Sequence, residues 1–287
     1  MFGVATEAAL RAFQQSRGLR ETGVCDDTTW SALVEASWKL GDRHLYLRRP
    51  HLRGDDVADL QARLGRLGFD CGWVDGIFGP STSTAVGEFQ RNVGLSPDGV
   101  VGHETFRALQ RLAMRSQSGQ LVNAVRQALR FDHAMPNPRL VVGHEGNLAA
   151  LVRSLARTLR ARGARVVTTD DGSSRVNASV ANRFDAELYV GLASESDEPW
   201  VGFYESHGFA SPGGRRLAET LVRALSPEIT ASTRGMRLPI LRETQMPAVI
   251  IELGRAGRLA DRHPDVTSRI ADGIVEWCRA PGAEPSS

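Results

Sequence analysis

The stretch from residue 75 to residue 105 reads DGIFGPSTSTAVGEFQRNVGLSPDGVVGHET and decides the fold of the first half of the chain. Asp75-Gly76 predicts a turn, and Pro80 lies where a helix would begin, a position that proline tolerates. Apolar residues at helical spacing follow, and Gly94 predicts where that helix ends. A second turn, Asp98-Gly99, then leads into another helix.

Two further segments complete a small unit around this stretch. Asp55–Leu67 carries apolar residues on one helical face and is closed by Gly68, and Glu104–Leu112 carries a similar face. The pattern therefore predicts three short helices around one small core.

The first half of the chain is a repeat. Shifting the sequence by 76 residues aligns Phe2 with Phe78, Gln14 with Gln90 and Thr29 with Thr105, without a gap. The first copy lacks the opening helix and the first Asp-Gly turn, so we expect it to expose apolar surface. We also expect Met1 to be an internal start, with the natural protein extending upstream.

The second copy resembles the peptidoglycan-binding domain type 1 family over Gly54–Leu112. The motif residues are Asp75, Gly76, Phe78, Gly79, Thr82, Phe89, Gln90, Asp98 and Gly99. The resemblance implies that peptidoglycan fragments or precursors are the ligands. The alternative is that the repeats bind only the second half of the chain or a protein partner, because a fold alone does not determine a ligand.

In the second half, short apolar strands alternate with amphipathic helices, which predicts an α/β domain with a mostly parallel sheet flanked by helices. The predicted strands are Leu140–Val142, Arg165–Thr169, Glu187–Leu192, Val201–Tyr204 and Ala248–Leu253. The predicted organisation is a truncated repeat at 1–38, a second repeat at 50–113, a linker at 114–137, the α/β domain at 138–280 and a tail at 281–287. The fold class is thus an all-α N-terminal half followed by an α/β domain.

Residues 139–278 resemble the zinc-dependent N-acetylmuramoyl-L-alanine amidase family (type 3). The resemblance lies in Leu159–Gly163, Ala181-Asn182, Gly202–Tyr204, Leu241–Thr244 and Pro247–Gly254. Within this family, the chain resembles in particular a mycobacterial type in which tandem repeats precede the amidase-like domain. This narrower resemblance is supported by Leu45-Tyr46 and Gly54–Val57.

The family's zinc ligands are largely replaced in this chain. The resemblance implies a His in a DPGHGG loop, a Glu at a helix start and a His in an SIHAN strand, with a further Glu as general base. The DPGHGG loop is absent, the strand histidine is Ala193, and the helix-start Glu falls at His144 or Glu145. Glu252 matches the general base, but Arg255 replaces the Phe that usually follows.

A catalytic zinc needs three protein ligands and an open position for water. At most two ligand positions survive here, so we expect no zinc cofactor and a degenerate domain. His144 and Glu145 could be remnant ligands; the ordinary alternative is a loop with a helix-start acid stabilised by the helix dipole. Glu252 could equally be a buried carboxylate without a catalytic task, and nothing in its spacing favours His207 as a ligand.

Composition excludes several classes of protein. The net charge is +2 and no block is strongly basic, which argues against a nucleic-acid partner. No apolar run approaches the ~20 residues of a membrane helix. The three cysteines are widely spaced and no signal peptide is visible, which favours the cytoplasm.

Three functions remain open from the sequence. The preferred one is a cell-wall protein that binds peptidoglycan fragments or precursors, or a cell-wall biosynthetic enzyme, and so regulates peptidoglycan synthesis. The second is an active zinc amidase that cleaves the bond between N-acetylmuramate and L-alanine. The third is a scaffold whose repeats bind only protein.

Overall fold

A computed structural model describes residues 3–113, 134–170, 173–206, 209–254 and 263–281. The chain forms two compact units, Met1–Arg126 with Ser206–Phe209 and Gln127–Glu205 with Ala210–Ser287. Most of the predicted linker and the predicted tail lie outside the described residues. Among the described helices, none combines the length and the apolar character needed to cross a bilayer.

The first unit is helical in its described part. Its helices are α1 (Val4–Ser16), α2 (Asp27–Ala36), α3 (Asp55–Arg66), α4 (Pro80–Asn92) and α5 (His103–Ala113). Helices α3, α4 and α5 are the three helices predicted for the second copy. Their core contains Val57, Leu60, Phe89 and Leu109, all fully buried.

The first copy is half of this arrangement, as the repeat predicts. Helices α1 and α2 correspond to α4 and α5, and no described helix corresponds to α3. Ala85 in the second copy is fully buried, but its counterpart Ala9 is exposed. Trp30, the counterpart of the half-buried Phe106, is 63% exposed. In the described chain, the first copy therefore exposes positions that the second copy buries or half-buries.

The second unit is built on a seven-stranded sheet. Its strands are β1 (Arg139–His144), β2 (Arg165–Thr169), β3 (Leu188–Ala193), β4 (Trp200–Ser206), β5 (Phe209–Ala210), β6 (Ser232–Met236) and β7 (Ala248–Glu252). Its helices are α6 (Ala149–Ala161), α7 (Ser174–Arg183), α8 (Pro212–Leu225), α9 (Pro239–Glu243) and α10 (His263–Arg279).

The strand order is β2-β1-β3-β7-β4-β5, with β6 beside β4. Strands β2, β1, β3 and β7 run parallel, as predicted, whereas β4 runs antiparallel to β7 and parallel to β6. The sheet is therefore mixed. Strand β6 was not predicted, because its sequence STRGM lacks the apolar alternation of a strand.

Helices cover both faces of this sheet. One face, here called the three-helix face, packs on α6, α8 and α10 and forms the larger core, which includes Leu140, Val190 and Ile251. The opposite face, here called the two-helix face, carries α7 and α9. Neighbouring residues of a strand point to opposite faces, so this division decides which side chains can meet at the end of the sheet.

Candidate functional site

A buried glutamine organises the second turn of the complete repeat. Gln90 is 2% exposed, and its Nε2 donates to Asp98 Oδ1 (2.7 Å), the carbonyl of Val100 (2.9 Å) and Thr105 Oγ1 (3.1 Å). Its Oε1 accepts from the Gly99 amide at 2.9 Å. One side chain therefore joins helix α4, the turn and the start of α5.

Asp98 is held in its charged form by this turn. Its Oδ1 accepts from the Val100 amide at 2.9 Å as well as from Gln90. These hydrogen bonds, the one from the Val100 amide above all, lower the pKa of the Asp98 carboxyl.

The same network occurs twice more in the first unit. Gln61 binds Asp75, Ile77 and Thr82 and accepts from the Gly76 amide. Gln14 binds Thr22, Val24 and Thr29 and accepts from the Gly23 amide. The glycines at these turns have φ values of +71° (Gly23), +69° (Gly76) and +70° (Gly99), in a left-handed region that other residues rarely adopt.

The repeating structural element is thus half of the predicted repeat. The sequence carries the signal, since D-G-x-x-G-x-x-T occurs at 75–82 and again at 98–105. Of the predicted motif residues, Phe78 and Phe89 are fully buried in the core. The polar motif residues hold the turns in place, so the motif specifies the shape of the domain.

The second candidate site lies where strands β1, β3 and β7 end together. These strands are parallel neighbours, and the register places His144 opposite Leu192 and Ala193 opposite Glu252. The three predicted positions therefore share one edge of the sheet, as expected from their places at strand ends.

Glu252 is buried at this edge. It is 1% exposed, and its Oε1 accepts from the backbone amide of Glu195 at 2.8 Å. Ala193, the predicted position of the family's strand histidine, is fully buried beside it and has no side-chain atom that could bind a metal.

His144 points away from Glu252. Alternation along β1 places His144 on the three-helix face together with Leu140 and Val142, both members of the larger core. Alternation along β7 places Glu252 on the two-helix face, because Val249 and Ile251 belong to the opposite core. The two predicted residues therefore share an edge but not a face.

The imidazole of His144 is oriented by its own loop. Nδ1 lies 2.7 Å from the carbonyl oxygen of Gly146, and Nε2 lies 3.9 Å from Asp170 Oδ1. The side chain is 11% exposed, and Nε2 has no hydrogen-bond partner among the described residues. A histidine that donates from Nδ1 to a carbonyl keeps a lone pair on Nε2.

Glu145 is not an acid at a helix start, which corrects that prediction. Helix α6 begins only at Ala149. The Glu145 amide instead donates to the Leu192 carbonyl at 2.9 Å, extending the β1–β3 ladder. Its carboxylate accepts from Ser174 Oγ at 3.3 Å, at the start of α7, and so lies on the two-helix face.

Tyr189, which the sequence analysis did not single out, is buried near Glu145. Burial first, and then the charge of Glu145, raise the pKa of Tyr189 well above its usual range, opposed by hydrogen bonds with Thr169 and Asn177. A Cβ on Gly143 would lie 2.6 Å from the Tyr189 hydroxyl. In the sequence, Gly143 near the end of β1 could have indicated this tyrosine, because a larger side chain at that position would collide with the tyrosine hydroxyl.

The described part of this edge brings few potential metal ligands together. Within the part of the chain that the structure describes, no three His, Cys, Asp or Glu side chains form a group that could hold a metal ion. His144 and Glu252 lie on opposite faces, and the strand position is alanine. His207 and Arg255 lie outside the described residues.

Comparison with known proteins agrees with both halves of this architecture. The family model "Putative peptidoglycan binding domain" matches residues 1–33 and 53–109. The N-acetylmuramoyl-L-alanine amidase CwlM of Mycobacterium tuberculosis is 34% identical over 318 residues, which cover 96% of this chain and 77% of that protein. This match confirms the narrower resemblance to a mycobacterial amidase type.

Two further matches cover single parts. The spore cortex-lytic enzyme of Halalkalibacterium halodurans is 39% identical over 80 residues, covering 28% of this chain and 24% of that enzyme. The solved structure of the N-acetylmuramoyl-L-alanine amidase AmiC2 of Nostoc punctiforme is 22% identical, with a TM-score of 0.41, and covers 48% of this chain and 96% of that chain.

A relative of this identity and coverage, together with the matched binding domain, establishes the family. The chain belongs to the N-acetylmuramoyl-L-alanine amidase family, as a member with an N-terminal peptidoglycan-binding region.

Proposed function

We propose that this protein binds peptidoglycan fragments or lipid-linked precursors and that its amidase-like domain recognises ligand without hydrolysing it. In this role it would regulate peptidoglycan synthesis, through contact with a cell-wall biosynthetic enzyme in the cytoplasm. The proposal rests on the family of the chain and on the donor atoms left at the edge of the sheet.

The observation that carries the proposal is Ala193. In an amidase the strand histidine would stand directly beside the general base, and here a methyl group occupies that place opposite Glu252. A zinc-bound water cannot be generated without three protein ligands to hold the ion. Among the described side chains at this edge of the sheet there is one imidazole, that of His144, and it lies on the face opposite Glu252.

Glu252 has a second role that does not require a metal. Its carboxylate accepts from the Glu195 amide, so it joins the ends of β7 and β3 to the loop after β3. A buried acceptor of this kind supports the shape of a ligand-binding edge whether or not hydrolysis occurs.

One observation favours the alternative, an active zinc amidase. His144 presents a buried Nε2 that has no hydrogen-bond partner among the described residues, while its Nδ1 faces a carbonyl. Metal-binding histidines have this arrangement. The alternative therefore requires two further ligands beside His144.

Metal analysis and a digestion assay separate these functions. The purified full chain is loaded with zinc, dialysed and analysed by mass spectrometry for metal, then incubated with muropeptides to detect released stem peptide. We expect substoichiometric zinc and no release, with muropeptide or precursor binding detected by calorimetry. Zinc near one per chain that is lost in His144→Ala, together with stem-peptide release, would establish the amidase. Absence of any muropeptide or precursor binding would instead favour a scaffold that binds only protein.

A further inference from the structure

A loop held by backbone hydrogen bonds at both ends lies between helices α2 and α3 of the first unit. At one end Leu45 is fully buried and exchanges two backbone hydrogen bonds with Val101, of 3.3 and 2.8 Å. At the other end Leu52 is 5% exposed, and its carbonyl accepts from the Phe78 amide at 2.9 Å. Residues 46–50 between these anchors are all exposed.

This loop, here called the 46–50 loop, is basic. Residues 43–53 read RHLYLRRPHLR and contain no acidic residue. The two arginines of the loop, Arg48 and Arg49, have no ion pair or hydrogen bond with the described residues. Arg43 nearby differs, since its Nε lies 2.7 Å from Asp56 Oδ2.

The two carboxylates at the start of helix α3 form ion pairs with other arginines. Asp56 is paired with Arg43, and Asp55 lies 2.6 Å from Arg17. The positive charge of Arg48 and Arg49 therefore remains available to an anionic ligand.

Two apolar side chains accompany these charges. Tyr46 is 42% exposed and Leu47 is 44% exposed. Among the large exposed hydrophobic residues of the described chain, they are the only two that are adjacent in sequence. An aromatic residue and a leucine next to two unpaired arginines are the combination that binds the interface of an anionic bilayer.

We propose that the 46–50 loop binds the phosphate headgroups of an anionic lipid surface, with Arg48 and Arg49 on the phosphates and Tyr46 and Leu47 in the interface. The loop is held at both ends by the core of the second repeat, so little order must be created on binding. This attachment goes beyond the proposed function and does not depend on it.

A nucleic acid fits the loop less well. Proteins that bind duplexes typically neutralise about 6–10 phosphates, and this loop offers two unpaired arginines. An exposed leucine has no counterpart on a phosphate backbone, whereas it has one at the level of the lipid acyl chains.

Vesicle co-sedimentation of the full chain tests the proposal. The probes are vesicles of phosphatidylcholine alone and vesicles that also contain phosphatidylglycerol. We expect binding only to the anionic vesicles, and a loss of about 30-fold in partition for the double variant Arg48→Gln/Arg49→Gln. This factor follows from about 1 kcal/mol per arginine near an anionic surface, at about 1.4 kcal/mol per tenfold change.

A matched variant separates the loop from net charge. Arg107→Gln/Arg111→Gln removes two exposed charges from helix α5 of the same unit, and we expect less than a threefold change. Leu47→Ser should weaken binding without altering its salt dependence, because it removes only apolar contact.

Three results would overturn the proposal. One is an equal loss of vesicle binding in the α5 control variant, which would show that the attraction depends on the net charge of the protein and not on the 46–50 loop. Another is full competition by inorganic pyrophosphate, with loop-dependent binding of pyrophosphate alone in calorimetry, which would identify a soluble phosphate ligand. The third is tighter loop-dependent binding of an RNA or DNA duplex than of the vesicles.

Discussion

Replacing the buried amide of Gln90 tests the claim that the motif specifies shape. Its Nε2 has two hydrogens for three acceptors, so the side chain supplies about two donated bonds and accepts one from Gly99. In Gln90→Ala these partners lose their bonds in a site that is 2% exposed. At about 1 kcal/mol for each bond, we expect a loss of about 3 kcal/mol in the stability of the second repeat.

Native-state hydrogen exchange of the full chain measures this loss locally. The amides of residues 96–105 should exchange about 100-fold faster in Gln90→Ala, since each 1.4 kcal/mol is a factor of ten. Asn92→Ala is the matched control, because Asn92 is exposed and its Nδ2 donates only to the carbonyl of Glu88 in the same helix. If Gln90→Ala changed exchange by less than threefold, the turn would be held by other contacts and the argument would fail.

Three further predictions concern pH, packing and reactivity. Because the folded state lowers the pKa of Asp98 below 3.8, the stabilisation by its carboxylate is present above that pH and is lost as the pH falls through the lowered value. Hydrogen exchange measured during acid unfolding should therefore show a loss of protection at residues 98–105. The same loss should be absent at the first-copy turn, where Thr22 replaces the acid, and in Asp98→Asn. Gly143→Ala should cost about 1–3 kcal/mol in urea unfolding, because the new Cβ would lie 2.5 Å from the hydroxyl oxygen of Thr169. Gly87→Ala, inside helix α4 and with the nearest atom to the new Cβ at 3.9 Å, should leave stability unchanged or raise it by up to about 1 kcal/mol, because alanine forms helices better than glycine; equal losses would refute the packing argument. Thiol alkylation of the native chain at pH 8, mapped by peptide mass, should label only the exposed Cys25, because burial raises the pKa of the other two thiols to about 12; comparable labelling of all three would contradict the buried positions.

Local patterns were sufficient for most of the helices and strands and for the 76-residue repeat. Pro80 and Gly94 bound helix α4 in sequence, and the structure places it at Pro80–Asn92. The correspondence of helices α1 and α2 with α4 and α5 also followed from the 76-residue shift alone.

The site could be predicted only in part. The chain order of the strands located His144, Ala193 and Glu252 at strand ends, and parallel neighbours bring such ends to one edge. Which face of the sheet each of these side chains occupies depends on the exact register of its strand. A shift of one residue would move a side chain to the opposite face. Counting back from Gly163 placed the family's helix-start Glu at His144 or Glu145, whereas the structure continues the strand to His144 and begins the helix at Ala149.

The sequence alone determined the helical repeats and the α/β alternation, because these depend on residue identity and short-range spacing. Only the tertiary structure showed that Gln14, Gln61 and Gln90 perform the same task and that His144 faces away from Glu252. Both facts depend on contacts between residues distant in the chain and on strand register, and neither quantity is encoded in local periodicity.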